Sequence, residues 1–246
     1  MKGYAGIVFV GAGLIFWHEH GSAQWRNVEN RVMKTSSLSL AVPPEEMDSP
    51  QSRAGISAGM GVSYVNPQDV VDYINGTVHP AQRISDFKSA VEFFGALVFP
   101  VASDWDLKLE YTYLLGTYNV PSQFGPAEFT FVAHMPTLIG QYVLIEEGVY
   151  NVKLGGGAGY HVGSLSEKYL TLDDKLTGHG IGVLLDLEAN TAFGKDFFGY
   201  LGANLRWDFI GELTNSSRTS AANSAGVAPT LQFFGIGARL GFTYYF

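Results

Sequence analysis

Residues 230–246 read TLQFFGIGARLGFTYYF. From Ile236 the even positions are Ile, Ala, Leu, Phe, Tyr and Phe; the odd ones between them are Gly, Arg, Gly, Thr and Tyr. Alternation of period two marks a β-strand with one apolar face and one small or polar face. The strand runs to the aromatic Phe246 without a break. Terminal residues of soluble domains usually fray into water, so a strand ending this way needs something to hold it. A sheet closed into a barrel inside a bilayer supplies that hold.

The pattern recurs upstream. Strand candidates cover 54–65, 90–101, 105–118, 127–145, 149–163, 178–193 and 197–213, with the C-terminal strand as the eighth. In 105–118, Leu107, Leu109, Tyr111, Tyr113 and Leu115 alternate with Lys108, Glu110 and Thr112. Such lengths exceed the five or six residues usual in globular sheets and suit the roughly 9–11 tilted residues that cross a bilayer. Pro136 interrupts the fourth candidate and calls for a bulge or local break, and Gln141 faces inward only after a one-residue shift. Tight turns near Ser103-Asp104, Glu146-Glu147-Gly148 and Gly194-Lys195-Asp196 alternate with long polar connections near 66–89, 164–177 and 214–229. The segment 119–126, with Pro121 and Gly125-Pro126, is intermediate. An even strand number puts both ends of the barrel domain on the short-turn side, and short turns are periplasmic in outer-membrane barrels.

Composition narrows the class further. Of 246 residues, 46% are hydrophobic, 14% aromatic and only 15% charged, with 30 glycines. That charge is low for a soluble surface, yet no interior run reaches the roughly 18 apolar residues of a helical span. Cysteine is absent, which removes disulfides, zinc–thiolate sites and a lipoprotein anchor. Residues 1–23 read as a signal peptide: Lys2, an apolar stretch over 3–17, then Gly21-Ser22-Ala23 at the cleavage site. Residues 24–53, with Pro43-Pro44 and Ser49-Pro50, read as a periplasmic arm or linker, and 54–246 as the barrel. Removing 1–23 takes away Lys2 and Glu19 and leaves the formal net charge at −8, which argues against a nucleic-acid partner.

The polar face is mostly Gly, Ser and Thr with scattered charges, and aromatic residues gather near strand ends, as Tyr64, Phe99, Trp105, Phe197, Phe209 and Tyr244 do. Two membrane interfaces select that distribution, so the apolar face is assigned to lipid. The other face then carries Glu92, Lys108, Glu110, Lys153, Asp186, Glu188, Arg206, Asp208 and Arg239 into the lumen. An eight-stranded barrel is just wide enough for side chains to fill it, and buried charges must pair. The expectation is a structural salt-bridge network that closes the interior. Counting across the 194–196 turn sets Asp186 opposite Asn204, with Arg206 one diagonal step away.

Three places offer chemistry. Counting from the 146–148 turn sets His134 opposite His161, an inward pair able to titrate together or share a metal, although no third ligand follows from spacing. No cofactor or metal is therefore expected. Ser164 and Ser166 lie near the same end, and hydroxyl, imidazole and acid together would permit acyl chemistry on a lipid, but no motif fixes that geometry. Asn66-Pro67-Gln68-Asp69 reads as an N-cap with Pro at the first helical position. Val70, Val71, Tyr73 and Ile74 then form an apolar helix side that lids the barrel mouth or meets lipid. Glycines at 155–159 are no phosphate loop, because no helix follows them.

As a whole, 54–246 resembles the eight-stranded outer-membrane barrel families typified by the OmpA membrane domain, OmpX and OmpW, in strand number, loop alternation and terminal strand. The ending also resembles the strand that the outer-membrane assembly machinery reads, at Leu240, Phe242, Tyr244 and Phe246. The resemblance implies insertion in a Gram-negative outer membrane, among lipid and lipopolysaccharide, with long loops free to hold an extracellular ligand. It transfers no catalytic residue. The leading expectation is a non-enzymatic integral outer-membrane barrel, structural or interacting through its extracellular loops. The alternatives are a narrow conduit for small hydrophobic molecules and an outer-membrane lipid-modifying enzyme.

Overall fold

The computed structural model describes residues 53–78, 83–122, 125–169, 172–215 and 228–246. The expected signal peptide, and the arm up to residue 52, lie outside them. The strands are β1 (Gly55–Asn66), β2 (Lys88–Ala102), β3 (Trp105–Ser122), β4 (Gly125–Glu147), β5 (Tyr150–Tyr169), β6 (Leu172–Ala192), β7 (Phe197–Glu212) and β8 (Thr230–Tyr245), with one helix, α1 (Gln68–Val78), between β1 and β2. The eight strands are antiparallel neighbours in chain order and form one closed barrel. β8 closes it against β1, with Met60 opposite Leu240.

The ring is staggered. Stepping through paired residues from Ile56 leads to Leu97, Leu109, Leu138, Ala158, Val183, Trp207 and Phe234, and then to Asn66 of the starting strand rather than to Ile56. That offset is the shear that tilts strands against a barrel axis.

Tyr113, His134, Val162 and His179 form one paired row across β3 to β6. On the short-turn side of this row the outward residues are apolar, including Leu109, Leu138, Leu154 and Ile181, and charges point inward. Beyond the row the pattern reverses. Glu128, Lys168 and Lys175 point outward, while Leu114, Phe129, Phe131, Leu165 and Leu176 are buried inside. Alternation survives the reversal, so the strands continue where 119–126 and 164–177 were expected to be loops. β3 runs to Ser122, and β5 runs to Tyr169.

The apolar stretch is bounded by aromatic rings at both ends. Tyr64 stacks on Phe87 at 5.0 Å, and Trp207 lies 5.4 Å from Phe234, at the long-loop end. Trp105 and Tyr142, 5.3 Å apart, and Phe197 and Phe242, 5.1 Å apart, mark the short-turn end.

Pro136 does not disturb the register. It faces outward opposite Tyr111, and the β4–β5 pairing keeps one register from His134 to Val143. Gln141 is buried inside with no shift at the proline. The irregularity lies nearer the tight turn, between Val143 and Ile145. An outward proline costs the ladder one donor, not its register.

Helix α1 covers the long-loop end. Val70, Val71, Tyr73, Ile74 and Val78 are buried and join Leu114, Phe129, Phe131, Leu165, Leu176, Ile210, Leu231 and Phe233 in one apolar cluster. The Asp69 carboxylate accepts a hydrogen bond from the Thr230 hydroxyl and ties the helix to β8. The helix start differs from the expected cap. The Pro67 carbonyl accepts the first helical bond, from the Val71 N–H at 3.1 Å, so Pro67 sits one position earlier than expected. Asn66 Oδ1 has no hydrogen-bond partner among the described residues.

Candidate functional site

Inside the stretch with the apolar outer wall, the alternate position on every strand projects into the lumen. Glu92, Lys108, Glu110, Lys153, Asp186, Glu188, Arg206, Asp208 and Arg239 are all buried there. Lys108 Nζ lies 3.1 Å from Glu110, 3.1 Å from Asp186 and 2.9 Å from Glu188. Arg239 donates through Nε to Glu92 at 2.7 Å and through Nη1 to Glu110 at 2.8 Å. Arg206 Nη2 reaches the other oxygen of Glu92 at 3.0 Å. One chain of pairs therefore links β2, β3, β6, β7 and β8. Gln141 from β4 donates to Asp186 and Glu188 at 3.1 and 3.0 Å. Asp186 stands opposite Asn204.

Rings fill the space the charges leave. Arg239 lies 5.0 Å from the centre of the Phe94 ring, and Lys108 lies 5.3 Å from that of Tyr200. Near the short turns, Lys153 Nζ bonds Asp106 at 2.7 Å and the Tyr245 hydroxyl at 3.2 Å, with Phe198 edge-on to Tyr245 at 5.2 Å. Asp106 belongs to this network, although sequence reasoning missed it. Its place between Trp105 and Leu107 matches that of Lys108 between Leu107 and Leu109, so the alternation itself carried the signal. Glycines make room for the network. A Cβ at Gly61 would meet Glu92 Oε1 at 2.9 Å and Arg239 Cγ at 3.0 Å.

The two histidines do not meet. His134 pairs with Val162, not His161: the turn falls at Gly148-Val149, which moves the count two residues, and the slip at Leu144 takes one of them back. A one-residue offset moves a side chain to the other face. His134 faces outward, and its Nδ1 is 2.6 Å from the Tyr111 hydroxyl. His161 is buried in the lumen, with Nδ1 2.5 Å from Asp208 Oδ1 and Nε2 3.1 Å from the Thr137 hydroxyl. A Cβ at Gly182 would overlap both the His161 ring and Asp208 Oδ1, so only a glycine wall admits this pair.

Hydroxyl, imidazole and carboxylate stand in the order of a hydrolase triad. The space beside them, however, is about 10 Å³. It is large enough for about one water and too small for an acyl chain. Ser164 is buried, Ser166 is half-buried, and the hydroxyl on His161 is that of Thr137. Among the described residues, no three His, Asp or Glu side chains are arranged to hold a metal ion.

At the long-loop end, burial pushes the Tyr73 phenol well above its ordinary range, and the nearby Glu167 carboxylate adds to the shift. Glu167 is itself raised by burial first, and Asp174 contributes in the same direction. On β8, Leu240, Phe242 and Tyr244 point outward, and the Phe246 N–H bonds the Ala54 carbonyl at 2.9 Å.

No protein-family profile and no curated protein sequence matches the chain. Among solved structures, it is similar to Neisserial surface protein A, with a TM-score of 0.51 and 12% identity over 78% of this chain and 97% of that one. It is also similar to the outer membrane protein OprG from Pseudomonas aeruginosa, with a TM-score of 0.48 and 13% identity over 79% of this chain and 96% of that one. The fold is that of small eight-stranded outer-membrane barrels.

Proposed function

We propose that this chain is an integral protein of a Gram-negative outer membrane. It spans the bilayer between its two aromatic belts, keeps its lumen closed, and acts at the cell surface through its long-loop end. It neither conducts solute nor catalyses a reaction. The reversal at the Tyr113–His134–Val162–His179 row carries this reading. Only between the belts is the outside apolar and the inside charged, and that is the inverse of a water-soluble barrel.

In this reading both ends of the barrel domain are periplasmic, after a cleaved 1–23 and an arm over 24–53. Leu240, Phe242, Tyr244 and Phe246 serve the assembly machinery. Lipid and lipopolysaccharide surround the wall, and the long loops face any extracellular ligand. The paired charges and the rings packed on them support a closed lumen.

The chain has no cysteine, which gives a clean test. Lys175→Cys at the long-loop end should react with a membrane-impermeant maleimide on intact cells, whereas Lys195→Cys should react only after lysis. The reverse pattern, or recovery of a soluble protein without a heat-modifiable gel shift, would overturn the placement. Steady conductance in a planar bilayer would overturn the closed lumen.

A further inference from the structure

We infer that a crevice on the outer wall, where β1, β7 and β8 meet the start of α1, binds a neutral pyranose sugar of an outer-leaflet glycolipid. This rests on the outer-membrane placement proposed above. The crevice has a volume of about 280 Å³, near the lower limit of roughly 300 Å³ for small-molecule pockets.

Its lining is of two kinds. Trp207, Phe209 and Phe234 supply aromatic surface, Asn66, Gln68 and Gln232 supply amides and Asp69 a carboxylate, with the inward-facing Asp208 and Phe233 behind them. A pyranose offers the matching pair of surfaces, a flat C–H face and an edge of hydroxyls that both donate and accept. Amide side chains answer such hydroxyls because they too donate and accept. Asp69 is held in place by the Thr230 hydroxyl.

Other ligand classes fit worse. No Lys, Arg or His lines the crevice, so a phosphate or sulfate group would find a carboxylate and no cation. An acyl chain would cover the amides without hydrogen-bonding them, at the cost of desolvating each one.

Location points to a lipid-borne sugar. On β8 the outward residues change from Ile236 and Phe234 to Gln232, and on β1 from Tyr64 to Asn66. The edge of the apolar band therefore crosses the crevice, at the level where headgroups of the outer leaflet begin.

The test uses the full mature protein in phosphatidylcholine vesicles, which contain no competing sugar headgroup. Saturation-transfer NMR is recorded with methyl glucoside, methyl galactoside and methyl mannoside, and with glucose 6-phosphate as the charged control. At least one neutral hexoside should bind and the phosphate should not. Gln232→Ala and Gln68→Ala, both exposed in the free protein, should weaken that binding at least tenfold while the heat-modifiable gel shift is retained. Adding lipopolysaccharide to the vesicles should displace the soluble hexoside.

Absence of transfer from all three hexosides, or full binding in both variants, would overturn the site. Binding that lipopolysaccharide does not compete would overturn the glycolipid source. The Lys175→Cys label reports outer-membrane placement separately, so a negative sugar result beside normal labelling sinks the site alone.

Discussion

The interior of this barrel is two rooms of opposite chemistry. Toward the short turns it holds six buried carboxylates and four buried cations. Toward the long loops it holds leucine, isoleucine and phenylalanine beneath an amphipathic helix. The outer wall is reversed in each half. One rule explains both. The outward residue must suit the solvent it meets, lipid or water, and period-two alternation hands the opposite type to the inside. The inside must then satisfy whatever it has been given. In the lipid-facing half that means pairing charges; in the other it means a hydrocarbon core of the ordinary kind.

The halves should therefore fail differently. Arg239 is fully buried and serves Glu92, Glu110 and Thr112 at once. Arg239→Met takes from Glu92 and from Glu110 one of the two cations each holds, leaving them Arg206 and Lys108, and removing one partner of a buried pair costs about 3–5 kcal/mol. The urea midpoint of the detergent-folded protein should fall accordingly, and the whole barrel should unfold as one unit. An unchanged midpoint would mean that Arg206 and Lys108 suffice for those carboxylates without Arg239.

Ile74→Ala probes the other room. Truncating a buried Ile costs about 2–5 kcal/mol. Here the loss falls on α1, which meets the barrel at one end, so it should appear as faster protease nicking of 68–78 with little change in the global midpoint. A global shift as large as that of Arg239→Met would erase the distinction between the two halves.

Much of this was legible in the sequence, and the lapses have two causes. Strand number, closure and the inward direction of the charges follow from alternation, which a chain writes one residue at a time. The far ends of β3 to β6 were misread as loops because the apolar face was followed outward only. Once Tyr118 and Val120 face inward and Asn119 outward, the same alternation carries the opposite meaning. The histidine pair failed for a different reason. A register counted from a turn is sound only if the turn is placed to the residue and nothing bulges; the turn lies at Gly148-Val149 rather than on Glu146-Glu147-Gly148, and nothing in the composition of Val143-Leu144-Ile145 announces the slip that follows. Thr137 as the partner of His161 was hidden by the same offset.

A smaller effect is expected at the border between the rooms. Gly182 lies under His161 and Asp208 without space for a side chain. Gly182→Val overpacks that point, at about 1–3 kcal/mol. It should lower the urea midpoint less than Arg239→Met does and leave α1 protected. Exposure of α1 in this variant would show that the two halves are coupled through His161.

The smallest effect is a pH dependence confined to the outer room. Glu167 on β5 sits in the folded state with its pKa raised above the ordinary 4.5, by burial first and by Asp174 second, while Tyr73 from α1 bonds it. A carboxyl whose folded pKa is raised binds its proton more tightly when folded. Its contribution to docking of α1 is therefore most favourable below 4.5 and is lost as pH rises through the raised folded value. Hydrogen exchange of the α1 amides should quicken across that window beyond the intrinsic pH dependence of exchange. Glu167→Gln, which cannot ionise, should remove the excess while leaving the amides of the lipid-facing strands unchanged. If the strand amides followed the same curve, the titration would belong to the charged lumen, and the two rooms would not respond to pH independently.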